Sequence, residues 1–275
     1  MPSPSQERNQ TSESTPQALM IRRIGWAAFE IVTERGTRLI LDPYFSGSEG
    51  AHAGLPESPF TPQDFASANL VLVTHAGYDH RGQALEIVKA GDALLVAGTA
   101  LAGHAVKRAG IPLARIVPMV SGVECRFQDT WIKAIPARHW SSMPSGSETL
   151  IDQPMSFMLI TDAGSRIFCG GDNSISGDYK VWGELYQPDL ALLGIGGLPV
   201  GAISLLAELP PSDAAVAAEW LGVKRIIPGH YPPNGPEPDQ LATALTNRKS
   251  KIQVVRLEFG ESFLDDPAQQ LRQGG

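Results

Sequence analysis

The stretch Leu70–Gly82, LVLVTHAGYDHRG, is the part of the chain from which the fold is best interpreted. Its first four residues are aliphatic and predict a short buried strand. Two histidines and an aspartate, His75, Asp79 and His80, follow on one tight loop. Such a loop can direct several side chains at one point, and imidazole and carboxylate groups suit Zn²⁺. The same residues also fit a hydrogen-bonded pair on the surface, so the loop alone leaves both interpretations open.

This loop resembles the metal-binding loop of the metallo-β-lactamase superfamily, in which the pattern H-x-H-x-D-H follows a strand. His75, Asp79 and His80 match that pattern, whereas Gly77 stands in place of the second histidine. The resemblance extends over about residues 20 to 260. It implies an α+β fold, the αββα four-layer sandwich, in which two mostly antiparallel sheets face each other with helices outside.

The block near the start of the chain, IGWAAF at residues 24–29 and RLILDPYF at residues 38–45, supports the same assignment. It resembles the branch related to ascorbate-phosphate lactonases, which often carries G-H-A-x-F followed by I-D-P. Phe29 and Asp42 match this pattern, and Trp26 replaces its histidine. Trp26 is equally consistent with a core aromatic residue and with a wall of the active-site pocket.

Three later segments each place a polar side chain where relatives carry a metal ligand. His139 follows the predicted strand Trp131–Pro136, and His230 follows the predicted strand Lys224–Pro228. Asp172 follows two glycines, which let the backbone turn tightly and bring the carboxylate inward. In relatives the aspartate of this G-G-D motif bridges two metals.

The resemblance therefore implies two metal sites that share one carboxylate. The implied ligands are His75, Asp79, His80, His139, Asp172 and His230. One site would use Asp79, His80 and His230, and the other would use His75 and His139. Because Gly77 has no imidazole, the second site is expected to be weak, altered or empty. The expected cofactor is Zn²⁺, one or two per chain, with Mn²⁺ or Fe as alternatives.

The implied chemistry is hydrolysis by a metal-activated water, with Asp79 as the catalytic residue that orients the water and takes its proton. The residues considered for substrate binding are Trp26, His52, Tyr78, Trp140, Ser142 and Tyr231, each with a structural role as the alternative. His52, on a Gly- and Pro-rich loop, is also considered as a replacement metal ligand. The tryptophans and the apolar segment Leu198–Leu206 favour a small organic substrate: a lactone, ester, amide or carbon–halogen compound.

Composition limits the remaining possibilities. The chain has 275 residues, 43% of them hydrophobic, and a net charge of −7, which argues against nucleic acid as a partner. Two cysteines outside any Cys-x-x-Cys pair fit a reducing cytoplasm. No apolar run reaches the length of a membrane span, so no membrane association is expected. A homo-oligomer is left open.

The same composition shifts predict the domain boundaries. Residues 1–17 are predicted to be a disordered tail, residues 18–262 a single domain, and residues 263–275 a polar C-terminal tail. The expected function is that of a metal-dependent hydrolase. The alternative is a non-catalytic member of the same fold that binds a small molecule or a metal, which the loss of two expected histidines would favour. An iron oxidoreductase ranks below both.

Overall fold

Two seven-stranded sheets lie at the centre of the fold within residues 17–200, 203–205 and 208–265, the part of the chain that the computed structural model describes. Residues 1–16 of the predicted N-terminal tail and residues 266–275 of the predicted C-terminal tail lie outside this part. No helix among the described residues is both long enough and apolar enough to cross a bilayer.

The N-terminal half supplies most of the first sheet and the helices beside it. Its strands are β1 (Leu19–Arg23), β2 (Phe29–Val32), β3 (Arg38–Leu41), β4 (Leu70–Leu72), β5 (Leu94–Gly98) and β6 (Ile116–Met119). Its helices are α1 (Ser48–Ala53), α2 (Tyr78–Arg81), α3 (Ala84–Ala90) and α4 (Thr99–Lys107), with 3₁₀ turns at Pro62–Phe65 and Leu113–Arg115.

The C-terminal half supplies the second sheet and two small hairpins. Its first strands are β7 (Glu124–Phe127), β8 (Thr130–Pro136), β9 (Ser142–Ser145), β10 (Glu148–Ile151), β11 (Met155–Thr161) and β12 (Arg166–Cys169). They are followed by β13 (Leu190–Gly194), β14 (Leu198–Val200), β15 (Ile203–Leu205), β16 (Arg225–Gly229), β17 (Gln253–Val254) and β18 (Ser262–Asp265). The helices of this half are α5 (Asp178–Tyr186), α6 (Pro211–Leu221) and α7 (Glu237–Asn247).

Both sheets are mixed, which corrects the expectation of mostly antiparallel sheets. The strand orders are β18-β1-β2-β3-β4-β5-β6 and β17-β16-β13-β12-β11-β8-β7. The run from β3 to β6 is parallel, and so is the run from β12 through β13 and β16 to β17. Strands such as β4 and β5 are apolar without alternation, as expected for parallel strands covered on both faces.

An apolar cluster fills each of the three interfaces between the layers, which confirms the predicted αββα sandwich. The central cluster joins the facing sheets through residues such as Phe29, Ile132 and Phe157. A second cluster packs the first sheet against α3 and α4. A third packs the second sheet against α5, α6 and α7, around Phe168 and Trp182. The helices therefore cover the outer faces of both sheets.

Two segments of the C-terminal half differ from their predicted structure. The stretch 141–149 is polar and contains Gly and Pro, a composition that predicts a mobile loop, yet it contains most of the β9–β10 hairpin, whose Met143 is buried against the first sheet's outer cluster. The predicted C-terminal tail begins inside β18, since residues 262–265 pair with β1. Exposed and half-buried side chains alternate along Ser262–Asp265, as on an edge strand, so no continuous apolar run marks this strand in the sequence.

The strand ends place the polar loops at one edge of the sandwich. In parallel sheets the carboxyl ends of neighbouring strands meet at the same edge. The loop with His75 follows β4, Asp172 follows β12, and His230 follows β16. His139 follows the antiparallel β8 and reaches the same edge from the second sheet.

Candidate metal centre

The loop after β4 is held in place by a buried carboxylate on the neighbouring strand. The Thr74 backbone N–H donates a hydrogen bond to Asp42 Oδ1 at 2.7 Å, and the Thr74 hydroxyl donates to Asp42 Oδ2 at 2.7 Å. Asp42 itself adopts a positive φ of 46°, a conformation in which aspartate is found more often than most residues. The one-turn helix α2 then buries Asp79 and His80.

Four buried side chains form the first cluster: Asp79, His80, Asp172 and His230 each offer a ligand atom, and these atoms lie within 4.8 Å of one another. His230 Nε2 lies 3.1 Å from Asp79 Oδ2 and 3.4 Å from Asp172 Oδ2. Two imidazoles and two carboxylates are a donor set that suits a divalent metal such as zinc.

Two of these ligand atoms make no hydrogen bond, and this observation indicates whether the cluster could bind a cation. His80 Nε2 and Asp172 Oδ1 are 3.1 Å apart and buried, yet neither makes a hydrogen bond within the described residues. Buried polar atoms without a partner are rare in folded proteins. A metal bound between them would satisfy both, so the residues fit a metal site.

The second cluster contains His75, His139 and Asp172, whose ligand atoms again lie within 4.8 Å of one another. The His75 and His139 rings are 4.9 Å apart, and His139 Nε2 lies 3.5 Å from Asp172 Oδ2. Gly77 faces this cluster, because a Cβ built on it would lie 2.6 Å from His75 Nε2. The His75 ring therefore occupies the space that a side chain at position 77 would need.

Electrostatics distinguish the histidines of the two clusters. Burial and the neighbouring His80 lower the pKa of His75 to about 3, and burial also lowers the pKa of His139. Burial alone would lower the pKa of His80 and His230, but nearby carboxylates raise it, to about 9 for His230 and well above its usual value for His80. A metal binding at the first cluster would therefore displace protons.

The turn before Asp172 requires glycine. Gly171 adopts a positive φ of 57°, and a Cβ there would lie 2.7 Å from the Thr74 Oγ1 atom. This close approach brings the end of β12 against the loop after β4. The Asp172 carboxylate is buried, and although burial raises its pKa, the charges of His230 and His80 hold that pKa well below its usual value. It is consequently an anion facing both clusters.

A cavity of about 260 Å³ opens onto both clusters. Tyr78, Trp140 and Ser142, all predicted substrate contacts, line it beside Asp79. Trp140 is 59% exposed, and its ring stacks on His139 with a centroid distance of 4.3 Å. The cavity thus has an aromatic wall next to the second cluster.

Three other predicted substrate residues do not line this cavity. Tyr231 is fully buried, its hydroxyl donates to the Leu257 carbonyl at 2.8 Å, and Arg23 packs over its ring, so it contributes to the core. Trp26 is also buried, with its ring 4.8 Å from that of His230. His52 is exposed on α1 and belongs to neither cluster of described residues, so it does not replace the missing imidazole.

Glu208 and Asp42 are additions that the sequence did not identify as part of the site. Glu208 lies just before α6, is 4% exposed and lines the cavity. Burial raises its pKa to about 8. Asp42 accepts bonds from Thr74 and faces His80. Asp42 could have been noticed from the I-D-P pattern, but no local pattern singles out Glu208. Side chains of the predicted pocket segment 198–206 lie outside the described part.

Known proteins are similar to this chain over most of its length. Residues 37–231 match the family described as the beta-lactamase superfamily domain. A UPF0173 metal-dependent hydrolase of Thermus thermophilus is 33% identical over 242 residues, which cover 88% of this chain and 96% of that protein. A UPF0173 metal-dependent hydrolase of Methanobrevibacter smithii is 29% identical over 256 residues, covering 90% and 97%.

A solved structure shares the fold. It is a metallo hydrolase from the hyperthermophilic archaeon Ignicoccus hospitalis, with a TM-score of 0.70 and 22% identity. The alignment covers 90% of this chain and 99% of that protein. Both the sequence relatives and this structure are thus similar to the chain over nearly their whole length.

Proposed function

The chain belongs to the metal-dependent hydrolases of the β-lactamase superfamily, and from that premise we propose that it uses Zn²⁺ to hydrolyse a small organic substrate. The observation that carries the proposal is the pair of buried ligand atoms, His80 Nε2 and Asp172 Oδ1, which face each other at 3.1 Å without forming a hydrogen bond. The similarity to metal-dependent hydrolases favours an enzyme over a non-catalytic binding protein.

We assign the stronger metal site to Asp79, His80, Asp172 and His230. The weaker site would use His75 and His139 and share the Asp172 carboxylate. The lack of an imidazole at Gly77 supports this asymmetry, because affinity depends on the number and type of ligands. Described residues offer the first cluster one more ligand than the second.

The residues of the chain define the roles around the reacting atoms. When bound, Zn²⁺ lowers the pKa of a water ligand to about 7 and polarises the substrate oxygen. Asp79 lines the cavity and holds His230 through Oδ2 at 3.1 Å. Its Oδ1 atom is on the side of Gly77 and would accept the proton of the attacking water. Both Asp79 and His80 are buried, with 5% and 0% of their surface exposed.

The cavity supports a small organic substrate. Its volume, about 260 Å³, suits a molecule of modest size, and Tyr78 and Trp140 offer aromatic surface. Among hydrolysable groups we place lactones first, followed by esters, amides and carbon–halogen compounds. A cytoplasmic location is part of the proposal and is supported by the free thiols of Cys125 and Cys169.

The proposal is tested by a substrate panel combined with metal removal. Protein purified without chelator is assayed against lactones, esters, amides and haloalkanes, then stripped of metal and reassayed after addition of Zn²⁺. We expect hydrolysis to disappear on stripping and to return with Zn²⁺. Activity that persists in fully stripped protein would contradict the proposal.

Asp79→Asn is expected to lower kcat by about 10²–10⁴-fold, because the amide cannot take the proton of the attacking water. The measurement is the steady-state rate on the best substrate of the panel, at matched zinc occupancy. Asp92→Asn, which changes an aspartate outside the described clusters, is the control and should keep the wild-type rate. A kcat of the wild-type size in Asp79→Asn would exclude the proposed base.

Trp140→Ala is expected to raise KM by about tenfold for aromatic substrates, the equivalent of about 1.4 kcal/mol of lost contact. The exposed ring stacked on His139 supplies this contact. The KM of small aliphatic substrates should change less. Trp220, packed against the second sheet's outer cluster, gives the matched variant Trp220→Ala, for which KM should stay unchanged. If wild type and Trp140→Ala have the same KM for aromatic substrates, Trp140 does not contact the substrate.

A further inference from the structure

The two histidines of the first cluster share an arrangement at their outer nitrogens. His80 Nδ1 lies 2.9 Å from Asp42 Oδ2, and His230 Nδ1 lies 3.4 Å from Glu208 Oε2. Both carboxylates are buried, with Asp42 1% and Glu208 4% exposed. Each of these imidazoles therefore has a buried carboxylate on the side facing away from the cluster.

The histidines of the second cluster lack this support. His75 Nδ1 has the Thr74 hydroxyl at 3.4 Å. Within the described residues, no carboxylate approaches the Nδ1 atom of His75 or His139 within ion-pair distance. The two clusters thus differ in their surroundings as well as in their number of ligands.

The contact between Glu208 and His230 accounts for two unpartnered atoms. Glu208 Oε2 and His230 Nδ1 are both buried and make no hydrogen bond within the described residues, yet they face each other at 3.4 Å. A movement of a few tenths of an ångström would bring them into hydrogen-bond range.

The backbone of His230 does not by itself fix the ring. His230 has a positive φ of 64°, and its N–H donates to the Trp26 carbonyl at 2.9 Å. These contacts set the position of the Cα atom, whereas rotation of the imidazole about its side-chain bonds is limited by what the ring touches. The Trp26 ring contacts the imidazole at a tilt of 58°, and Glu208 is at the outer edge of the imidazole.

We propose that Glu208 is a positioning residue, which accepts a hydrogen bond from His230 Nδ1 and so directs the Nε2 lone pair at the metal of the first cluster. This inference rests on the proposed role of His230 as a metal ligand. A carboxylate behind a ligating imidazole fixes its tautomer and orientation and raises its basicity. Glu208 therefore strengthens one of the two metal sites without being a ligand.

The test compares the zinc affinities of metal-stripped wild type, Glu208→Gln and Glu34→Gln by competition with a chromophoric chelator. Glu34 is a matched control, since it is 3% exposed and contacts Ser165 rather than either cluster. We expect Glu208→Gln to lower the affinity for the more tightly bound zinc ion by about 10–100-fold and to leave the affinity for the other ion unchanged. Glu34→Gln should bind both ions as wild type does.

Several outcomes would overturn the inference. One is a Glu208→Gln variant that binds the tighter zinc ion with wild-type affinity. Another is an equal loss of affinity for both ions, and a third is a matching loss of affinity in Glu34→Gln. The thermal midpoint of the stripped proteins shows whether a loss merely follows unfolding. Should Glu208→Gln not fold, Glu208→Asp keeps the carboxyl group but withdraws it by one methylene, and this variant must then weaken binding of the tighter zinc ion selectively. Absence of zinc binding in wild type would instead contradict the proposed function itself.

Discussion

Asp172→Ala is expected to remove both metal ions and to lower hydrolysis by about 10³-fold or more. Asp172 is the residue common to the two clusters, with Oδ1 3.1 Å from His80 Nε2 and Oδ2 3.5 Å from His139 Nε2. Its loss takes one carboxylate from each site, and several kcal/mol of transition-state stabilisation disappear with the metal. Elemental analysis of protein purified without chelator, together with the rate on the best substrate, measures both effects.

Asp178→Ala is the control for this variant. Asp178 comes after the loop that carries Asp172, but it pairs with Arg138 on the surface. Its removal should therefore leave the metal content and the rate of hydrolysis unchanged. Circular dichroism of both variants establishes that they fold. Retention of two zinc ions by folded Asp172→Ala would contradict the shared-carboxylate assignment.

Gly171→Ala is expected to lower the free energy of unfolding of the metal-stripped protein by about 2–5 kcal/mol. Part of the loss comes from the positive φ of 57°, which costs a residue with a Cβ about 1–2 kcal/mol. The remainder comes from the approach of the new Cβ to the Thr74 side chain, where overpacking adds about 1–3 kcal/mol. Denaturant unfolding measures the change. Because Thr74 also binds Asp42, a displaced loop should weaken zinc binding as well.

The matched control is Gly177→Ala, because Gly177 has φ −61° and no atom within 4 Å of its added Cβ. Its free energy of unfolding should stay within about 0.5 kcal/mol of wild type. If Gly171→Ala is as stable as Gly177→Ala, the turn before Asp172 does not depend on glycine, and the packing described for this edge is wrong.

The sequence predicted the edge at which the ligands meet because the ligands follow strands. An apolar run followed by His75, Asp79 and His80 defines a strand and its loop from local information alone. His139 and Asp172 likewise follow recognisable strands. Their approach to one another depends on sheet order, which came from the family resemblance rather than from spacing.

Features that depend on long-range packing could not be predicted in this way. Glu208 is 22 residues from His230, and only the folded chain brings the two together. Tyr231 follows a ligand directly, so it was expected at the substrate, yet its hydroxyl turns inward to Leu257. The β9–β10 hairpin has the polar composition of a loop, and burial of Met143 is what ties it to the sandwich.

The direction of the parallel strands could not be predicted from local composition either. Apolar runs without alternation, as in β5 and β13, fit a buried strand of either direction. Parallel pairing is indicated only by a crossover helix between two consecutive strands. The helix α3 is short, so its pattern in the sequence is weak. The layers were therefore predicted correctly, whereas the pairing within them was not.

The two unequal metal sites are tested most directly by a calorimetric Zn²⁺ titration of metal-stripped wild type, Asp79→Ala and His52→Ala. Asp79 belongs to the first cluster, and His52 is an exposed histidine outside both described clusters. We expect two binding events of unequal affinity in wild type and in His52→Ala, and loss of the tighter event in Asp79→Ala. Folded wild-type protein that binds no zinc, or Asp79→Ala that keeps the tighter event, would contradict this expectation.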